Sequence, residues 1–167
     1  MTSATQLIGF PPITDHHTKL LILGSFPGVA SLQVAQYYAH PRNQFWRLIG
    51  DLIQCDLVHQ AYEDRLVILR AHGIGLWDVI ASAQRQGSLD ANIRNAVDNP
   101  LITLLATLPQ LQAIGFNGGT ASRLGLKILG DLASRYQLLS LPSSSPAHTM
   151  PYSNKLCTWR ALSDYLA

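Results

Sequence analysis

LILGSFPGVASLQVAQYYAHPRNQFW, residues 21–46, joins an apolar strand to a loop built for contact. The run Leu21-Ile22-Leu23 stops at Gly24, and a Pro27-Gly28 turn follows. Short, apolar and ended by glycine, residues 20–24 predict a fully buried strand. Tyr37 and Tyr38, a His40-Pro41 step and Asn43 then stand at the mouth of an amphipathic helix over residues 43–54, in which Phe45, Leu48, Ile49, Leu52 and Ile53 share a face. A buried strand that empties into aromatics, amides and an imidazole suits gripping a flat heterocycle beside a reactive bond.

Outward from this stretch, strands alternate with helices. Residues 74–80 (IGLWDVI) predict a second strand, 112–116 a third and 137–141 a fourth. Helices are predicted over 62–72, closed by Gly73, over 89–97, over 101–108 after the Asn99-Pro100 break, and from the Asn117-Gly118-Gly119 turn to near Gly130. The polar loop PSSSPAHTMPYS precedes a last helix over 153–166, carrying Leu156, Trp159 and Leu166. The expectation is an α/β three-layer sandwich, a four-stranded and mainly parallel central sheet flanked by helices, in a single domain over 1–167. Ligands of such sheets sit outside the carboxyl ends of the strands. Here those ends are GSFPG, WDV, FNGG and PSSSPAH, the polar, glycine-rich or proline-rich loops of the chain.

Composition narrows the class. A chain of 167 residues buries a substantial core without staples. Charged residues are 13% against a typical quarter, so neutral polar groups fill in the surface. The formal charge of +2 and a pI near 8.7 permit a nucleic-acid partner without demanding one. Cys55 and Cys157 fit no metal spacing and predict two buried free thiols in a reducing compartment. No apolar run reaches the length of a bilayer span. The start, MTSATQLIGFPPITDHH, lacks the charged opening and apolar core of an export signal. An intracellular, cytoplasmic protein away from the membrane is expected.

Each loop has a plain structural meaning beside a functional one. Gly24-Ser25-Phe26-Pro27-Gly28 is a tight turn leaving a strand, or a place where backbone amides and the Ser25 hydroxyl approach a base or a water; it is neither a nucleophile elbow nor a phosphate-binding loop of the Walker type. One of the two tyrosines suits the core. Asn43 is the N-cap of the helix that follows, or an amide that orients a water, and the same oxygen does not easily serve both. His40 is a structural histidine on a loop carbonyl, or support for the site. Asp78 is a loop acid or cap, or an acceptor for a ring N–H; an ionised carboxylate only accepts, so it would suit hypoxanthine, which presents N1–H, over adenine, which presents a bare N1. Ser88 reads as a helix cap. Asn117-Gly118-Gly119-Thr120 reads as a helix entry, which can also hold a phosphate on free amides. In Pro142-Ser143-Ser144-Ser145-Pro146-Ala147-His148, hydroxyls and amides suit phosphate contact.

The strings Tyr38-Ala39-His40-Pro41-Arg42-Asn43-Gln44-Phe45-Trp46 and Gly24-x-x-Pro27-Gly28 together resemble the first motif of the uracil-DNA glycosylase superfamily, with the nearest likeness in its family 6, the hypoxanthine-DNA glycosylases. The mismatch-specific uracil glycosylases similarly pair such a turn with an aromatic-Ala-His-Pro-x-Asn-x-Phe-Trp string. The lead-in at 10–13, the segment 75–79 (GLWDV), Gly87-Ser88-Leu89-Asp90 and the serine-proline loop extend the likeness over most of the chain. Relatives with G-x-N-P-G take a water-orienting asparagine from the turn; this chain has Phe26 there, and family 6 similarly relies on the asparagine of the H-P-x-N step.

The resemblance implies a monofunctional glycosylase that extrudes a deaminated base from DNA and directs water at C1′, leaving an abasic site. Asn43 is the implied catalytic residue. Gly24, Ser25, Phe26, Tyr38 and Asp78 would bind the base, with Tyr38 stacking on it, and His40 would give support. Ser143, Ser144, Ser145, Ala147 and His148 would contact DNA, His148 standing where asparagine is common in the family. The implied partner is DNA, duplex or single-stranded, bound by a monomer in the nucleoid. Lys19, Lys127 and Lys155, the three lysines, fall outside the motif loops, which argues against a Schiff-base lyase. No metal site or cofactor is expected: the deaminase signature is absent and two cysteines cannot hold an iron–sulfur cluster. Alternatives are a uracil or mismatch glycosylase, a noncatalytic lesion-binding module on the same fold, and a nucleoside hydrolase, for which the clustered aspartates of a calcium site are missing.

Overall fold

The apolar run at residues 20–24 forms a strand with no exposed residue, because it lies second of four in a parallel sheet. A computed structural model describes residues 5–167, so the first four residues of the N-terminal stretch read for an export signal lie outside it. In chain order the elements are β1 (Leu7–Ile8), β2 (Leu20–Gly24), α1 (Val29–Val34), α2 (Phe45–Ile53), α3 (Tyr62–Ala71), β3 (Ile74–Asp78), β4 (Ile80–Gln84), β5 (Arg94–Asp98), α4 (Leu101–Leu105), β6 (Ala113–Asn117), α5 (Gly119–Leu129), β7 (Gln137–Leu141) and α6 (Tyr152–Trp159). Short 3-10 turns occupy Asp90–Asn92, Gly130–Arg135 and Arg160–Tyr165.

Alternation along β2 builds three layers. Leu20 and Ile22 join a cluster with Phe45, Leu48 and Ile49 of α2, Leu66 and Leu69 of α3 and Trp159 of α6. Leu21 and Leu23 point the other way, into Leu101 and Leu105 of α4 and Ala121 and Leu129 of α5. A strand covered on both faces reads as an unbroken apolar run, which is why the pattern was legible. The sheet order is β3-β2-β6-β7, all parallel. Its register sets Gly24 beside Asp78 and Asn117 beside Leu141, so the strands finish together.

Several expectations need correction. The strand read over 74–80 is two: β3 ends at Asp78 and β4 begins at Ile80 in a second, antiparallel sheet of order β1-β4-β5. The helix read over 89–97 is the Asp90–Asn92 turn followed by β5. Leu89, Ile93 and Val97 imitate helical spacing, yet Leu89 and Val97 stay exposed, so no apolar stripe is buried there to hold a helix. Helix α2 starts at Phe45, not at Asn43. The helix over 101–108 stops at Leu105, and that over 153–166 gives way to a 3-10 turn after Trp159. The strand read over 112–116 runs one residue later, which brings Asn117 to its end. Helix α1 was not anticipated. Cys157 is exposed and Cys55 half-buried, so neither is the fully buried thiol expected, and both are free. Among the described residues no helix is long and apolar enough to cross a membrane.

Trp159 ties the last helix to the loop after β7. Its ring is fully buried and its Nε1–H donates to the Pro142 carbonyl at 2.9 Å. Trp159→Ala is expected to lower stability by about 3–5 kcal/mol, through lost contact and the cavity left behind. Urea unfolding monitored by circular dichroism measures it.

Candidate active site

A pocket of about 440 Å³ opens at the carboxyl ends of the four parallel strands. Each of the twelve residues given a site role from the sequence borders it: Gly24 at the end of β2 with Ser25 and Phe26 after it, Tyr38, His40 and Asn43 from the next loop, Asp78 at the end of β3, and Ser143, Ser144, Ser145, Ala147 and His148 after β7. Tyr38 and Asn43 therefore border the same cavity.

Tyr37 and Tyr38 divide the labour. Tyr37 is 3% exposed, donates its hydroxyl to the Pro11 carbonyl at 2.8 Å and belongs to the core. Tyr38 takes a left-handed φ of 55°, and its side chain borders the pocket. One face of the Tyr38 ring stacks on Phe45 at 4.0 Å between centroids and 18° between planes, which leaves at most the other face for a ligand. Burial pushes its phenol well above the usual range, the Asp78 charge adds to this, and a hydrogen bond from Asn117 opposes it.

Asn43 is not the N-cap; Gln44 holds that position. The Asn43 Oδ1 accepts the Phe45 N–H at 3.0 Å, an Asx turn just ahead of the helix. This bond fixes the side chain and engages one of the two lone pairs of the oxygen, leaving the other available in the pocket wall. His40 bonds differently from expectation: its Nδ1 accepts the Arg42 N–H at 3.1 Å instead of donating to a carbonyl. Both interactions hold the loop in shape.

Another part of the lining is acidic. Asp78 is 4% exposed, and its Oδ2 has no hydrogen-bond partner among the described residues. Burial pushes its carboxyl up to about 7; the Asp90 charge adds to this and the Arg85 charge opposes it. The ionised acceptor read from the sequence is thus shifted toward its protonated form. Room for this side chain depends on Gly24, where an added Cβ would stand 2.6 Å from Asp78 Oδ1 and 3.2 Å from the Tyr38 hydroxyl oxygen. Ser25 donates its hydroxyl to Asp90 Oδ1 at 2.7 Å. Phe26 borders the pocket while its ring packs on Ile80 and Ala83.

Asp90 and Asn117 were not chosen from the sequence as site residues, and both border the pocket. Asp90 was hidden by the mistaken helix, although GSLD had been marked as a motif. Asn117 looked like a turn residue; its Nδ2–H donates to Ser144 Oγ at 2.9 Å and its Oδ1 accepts the Ser144 N–H at 2.8 Å. Ser144, 1% exposed, is turned inward by these bonds, and its carbonyl accepts the Gln44 N–H at 3.0 Å. Ser143 and Ser145 accept backbone N–H groups two residues on, while Ala147 and His148 reach solvent. Ser88 does cap a helix, but a distant one: its Oγ accepts the Val29 N–H at 2.9 Å, at the start of α1. Among the described residues no three His, Cys, Asp or Glu side chains cluster so as to hold a metal ion.

The raised carboxyl has a consequence for stability. Below about pH 4 Asp78 is protonated in both folded and unfolded chains, so it contributes no pH dependence. Between about 4 and 7 the unfolded chain releases the proton and the folded chain keeps it, so stability falls as pH rises, then levels off. Asp78→Asn is expected to match the parent near pH 4 and to exceed it above pH 7 by on the order of a few kcal/mol. Urea titrations across that interval check this.

Comparison with known proteins agrees with the geometry. The family model for the uracil DNA glycosylase superfamily matches residues 11–165. A hypoxanthine DNA glycosylase of Methanosarcina acetivorans is 39% identical over 154 residues, covering 92% of this chain and 96% of its own. One from Methanosarcina barkeri is 38% identical over 153 residues, covering 90% and 94%. Among solved structures, the solution NMR structure of a candidate uracil DNA glycosylase from Methanosarcina acetivorans superposes with a TM-score of 0.84 at 38% identity, over 95% of this chain and 97% of that one. With its motifs gathered round one pocket and nearly its whole length matched, this chain belongs to the uracil DNA glycosylase superfamily.

Proposed function

We propose that the protein is a monofunctional DNA glycosylase that removes hypoxanthine from deoxyinosine in DNA, leaving an abasic site. The observation that carries this reading is the convergence of Tyr38, Asn43 and Asp78 on one pocket at the strand ends, in a chain so similar to two hypoxanthine DNA glycosylases. The volume of about 440 Å³ falls within the range of small-molecule sites, roughly 300–1,000 Å³. An extruded base lies against the free face of Tyr38, a contact of about 1–3 kcal/mol that any base can make. Asp78 faces the edge where hypoxanthine carries N1–H beside C6=O. Asn43, its oxygen oriented by the Phe45 amide, holds a water against C1′. No lysine borders the pocket among the described residues, in keeping with hydrolysis over Schiff-base chemistry.

DNA reaches the pocket along a neighbouring groove of about 830 Å³, bordered by Arg42, Arg47, Arg65 and Lys155 with His40 and His148, and by no carboxylate among the described residues. Such a groove suits a phosphate backbone, and binding along it weakens as salt rises. The protein works as a monomer, in one domain, on duplex DNA and also on single strands, where extrusion costs less. Uracil is the second reading, because its N3–H and C4=O present the same pair of groups to Asp78.

Duplexes carrying a single inosine, uracil, xanthine or ethenocytosine, incubated with the protein and then treated with alkali, test the assignment. Breaks are expected at inosine above all; breaks at uracil alone would replace hypoxanthine by uracil, and binding without breaks would leave a lesion-binding module. Asn43→Ala should lower single-turnover excision by about 10²–10³-fold, the usual loss for one preorganised polar group, with inosine-duplex binding retained. Gly24→Ala, which crowds Asp78 and Tyr38 together, should lower it by at least about tenfold, a modest misplacement being enough for that.

A further inference from the structure

Asp78 and Arg85 carry buried polar atoms that the fold leaves unused. Asp78 Oδ2 and Arg85 Nη1 are both without partners among the described residues. Arg85 donates its Nε to the Gly87 carbonyl at 2.9 Å and its Nη2 to the Pro27 carbonyl; it forms no ion pair with Asp78, and its charge only partly opposes the rise of that carboxyl. The groups around Asp78 are therefore poorly suited to an anion. From the loop before α2 come the phenols of Tyr37 and Tyr38; from the β2 end, Gly24 with no side chain; from β6, the neutral amide of Asn117; from the loop just after β4, Arg85; and from the turn that follows, Asp90. Asp90 is fixed there by the Ser25 hydroxyl at 2.7 Å.

The chemistry of base departure has a matching demand. When the C1′–N9 bond breaks, its electron pair leaves with the purine, and negative charge spreads to O6. An ionised carboxylate at that edge would repel the developing charge. A neutral carboxyl accepts N1–H on its carbonyl oxygen and donates its hydroxyl to O6, and the second bond strengthens as the anion forms. Carboxylic acids are held neutral for such donation by apolar burial in other active sites.

Resting on the hypoxanthine reading above, we infer that Asp78, whose buried Oδ2 has no partner among the described residues, enters the reaction as a hydrogen-bond donor to the departing purine, and that Asp90, held at the same pocket by Ser25, is a positioning residue that favours this role. Asp78 keeps its proton throughout. The water oxygen bonds to C1′ and releases a proton to solvent, and the purine anion takes one up, so charge and atoms balance. Burial is the largest influence raising the Asp78 carboxyl, and the Asp90 charge adds to it in the same direction.

Two measurements separate this inference from the reading on which it rests. Carbon-13 NMR of the side-chain carboxyls, with Asp78→Asn to assign the signal, follows Asp78 without any substrate. Its midpoint is expected near neutral pH and should move to lower pH in Asp90→Asn. Single-turnover excision of inosine should then fall about tenfold per pH unit above that midpoint, and Asp90→Asn should show the same limb displaced downward, leaving it at pH 8 at least about threefold further below its own low-pH plateau than the parent. Asp78→Asn, a donor at every pH, should lose the limb. A purely structural Asp90 would lower the rate equally at all pH values and leave the midpoint in place, which overturns the inference. So would a limb that persists in Asp78→Asn. Absence of inosine excision with the NMR midpoint displaced as expected would instead sink the substrate assignment and, with it, the role in purine departure.

Discussion

The parallel pairing of β2 with β3 is the constraint on which the site depends. It sets Gly24 beside Asp78, and because Gly24 has no side chain the carboxyl can turn inward, close enough that a single added carbon would sit 2.6 Å from it. The same strand end releases the chain toward Ser25 and, after α1, toward Tyr38 and Asn43. Hydrophobic alternation along four residues therefore decides where a polar pocket opens. Strength and chemistry are separated along β2: Leu20 to Leu23 hold two helical layers together, and the residue after them holds nothing and makes space.

Stability is given up on one wall and recovered on the other. A carboxyl buried without a partner destabilises the fold above the pH at which it ionises. Against it stands the well-bonded serine-proline loop, held by Asn117 at Ser144, by Trp159 at Pro142 and by Lys155, whose Nζ lies 3.3 Å from the Ser145 carbonyl. Orphaned groups gather at the pocket, and the hydrogen bonds that support them run through buried residues beside it.

How much was legible follows from the same division. The central strands were clear because burial on both faces leaves an unbroken apolar run, and the loops after them were clear because glycine, proline and serine interrupt it. All twelve residues chosen for the site border one cavity, since they lie in those loops. What was missed depends on contacts that sequence spacing does not encode. Ser88 caps a helix 59 residues earlier, β5 borrows a helical apolar spacing while exposing every side chain, and Asp90 meets Ser25 across 65 residues. Asn43 shows the finer limit: a cap and a site residue look alike in sequence, and here Gln44 holds the cap position while the Asn43 oxygen closes an Asx turn at the pocket wall.

Only Val79 separates the last residue of β3 from the first of β4. The acid at the rim of the parallel layer is thus tethered, with a one-residue leash, to a small meander whose outer strand is solvated throughout. That outer strand and the turn before it can drift in sequence at little expense to the core, yet the drift is felt at the acid through Arg85 and Asp90. The meander works as a tuning peg for a string stretched across a rigid frame, so members of such a lineage could diverge in the lesions they remove while sharing the same scaffold.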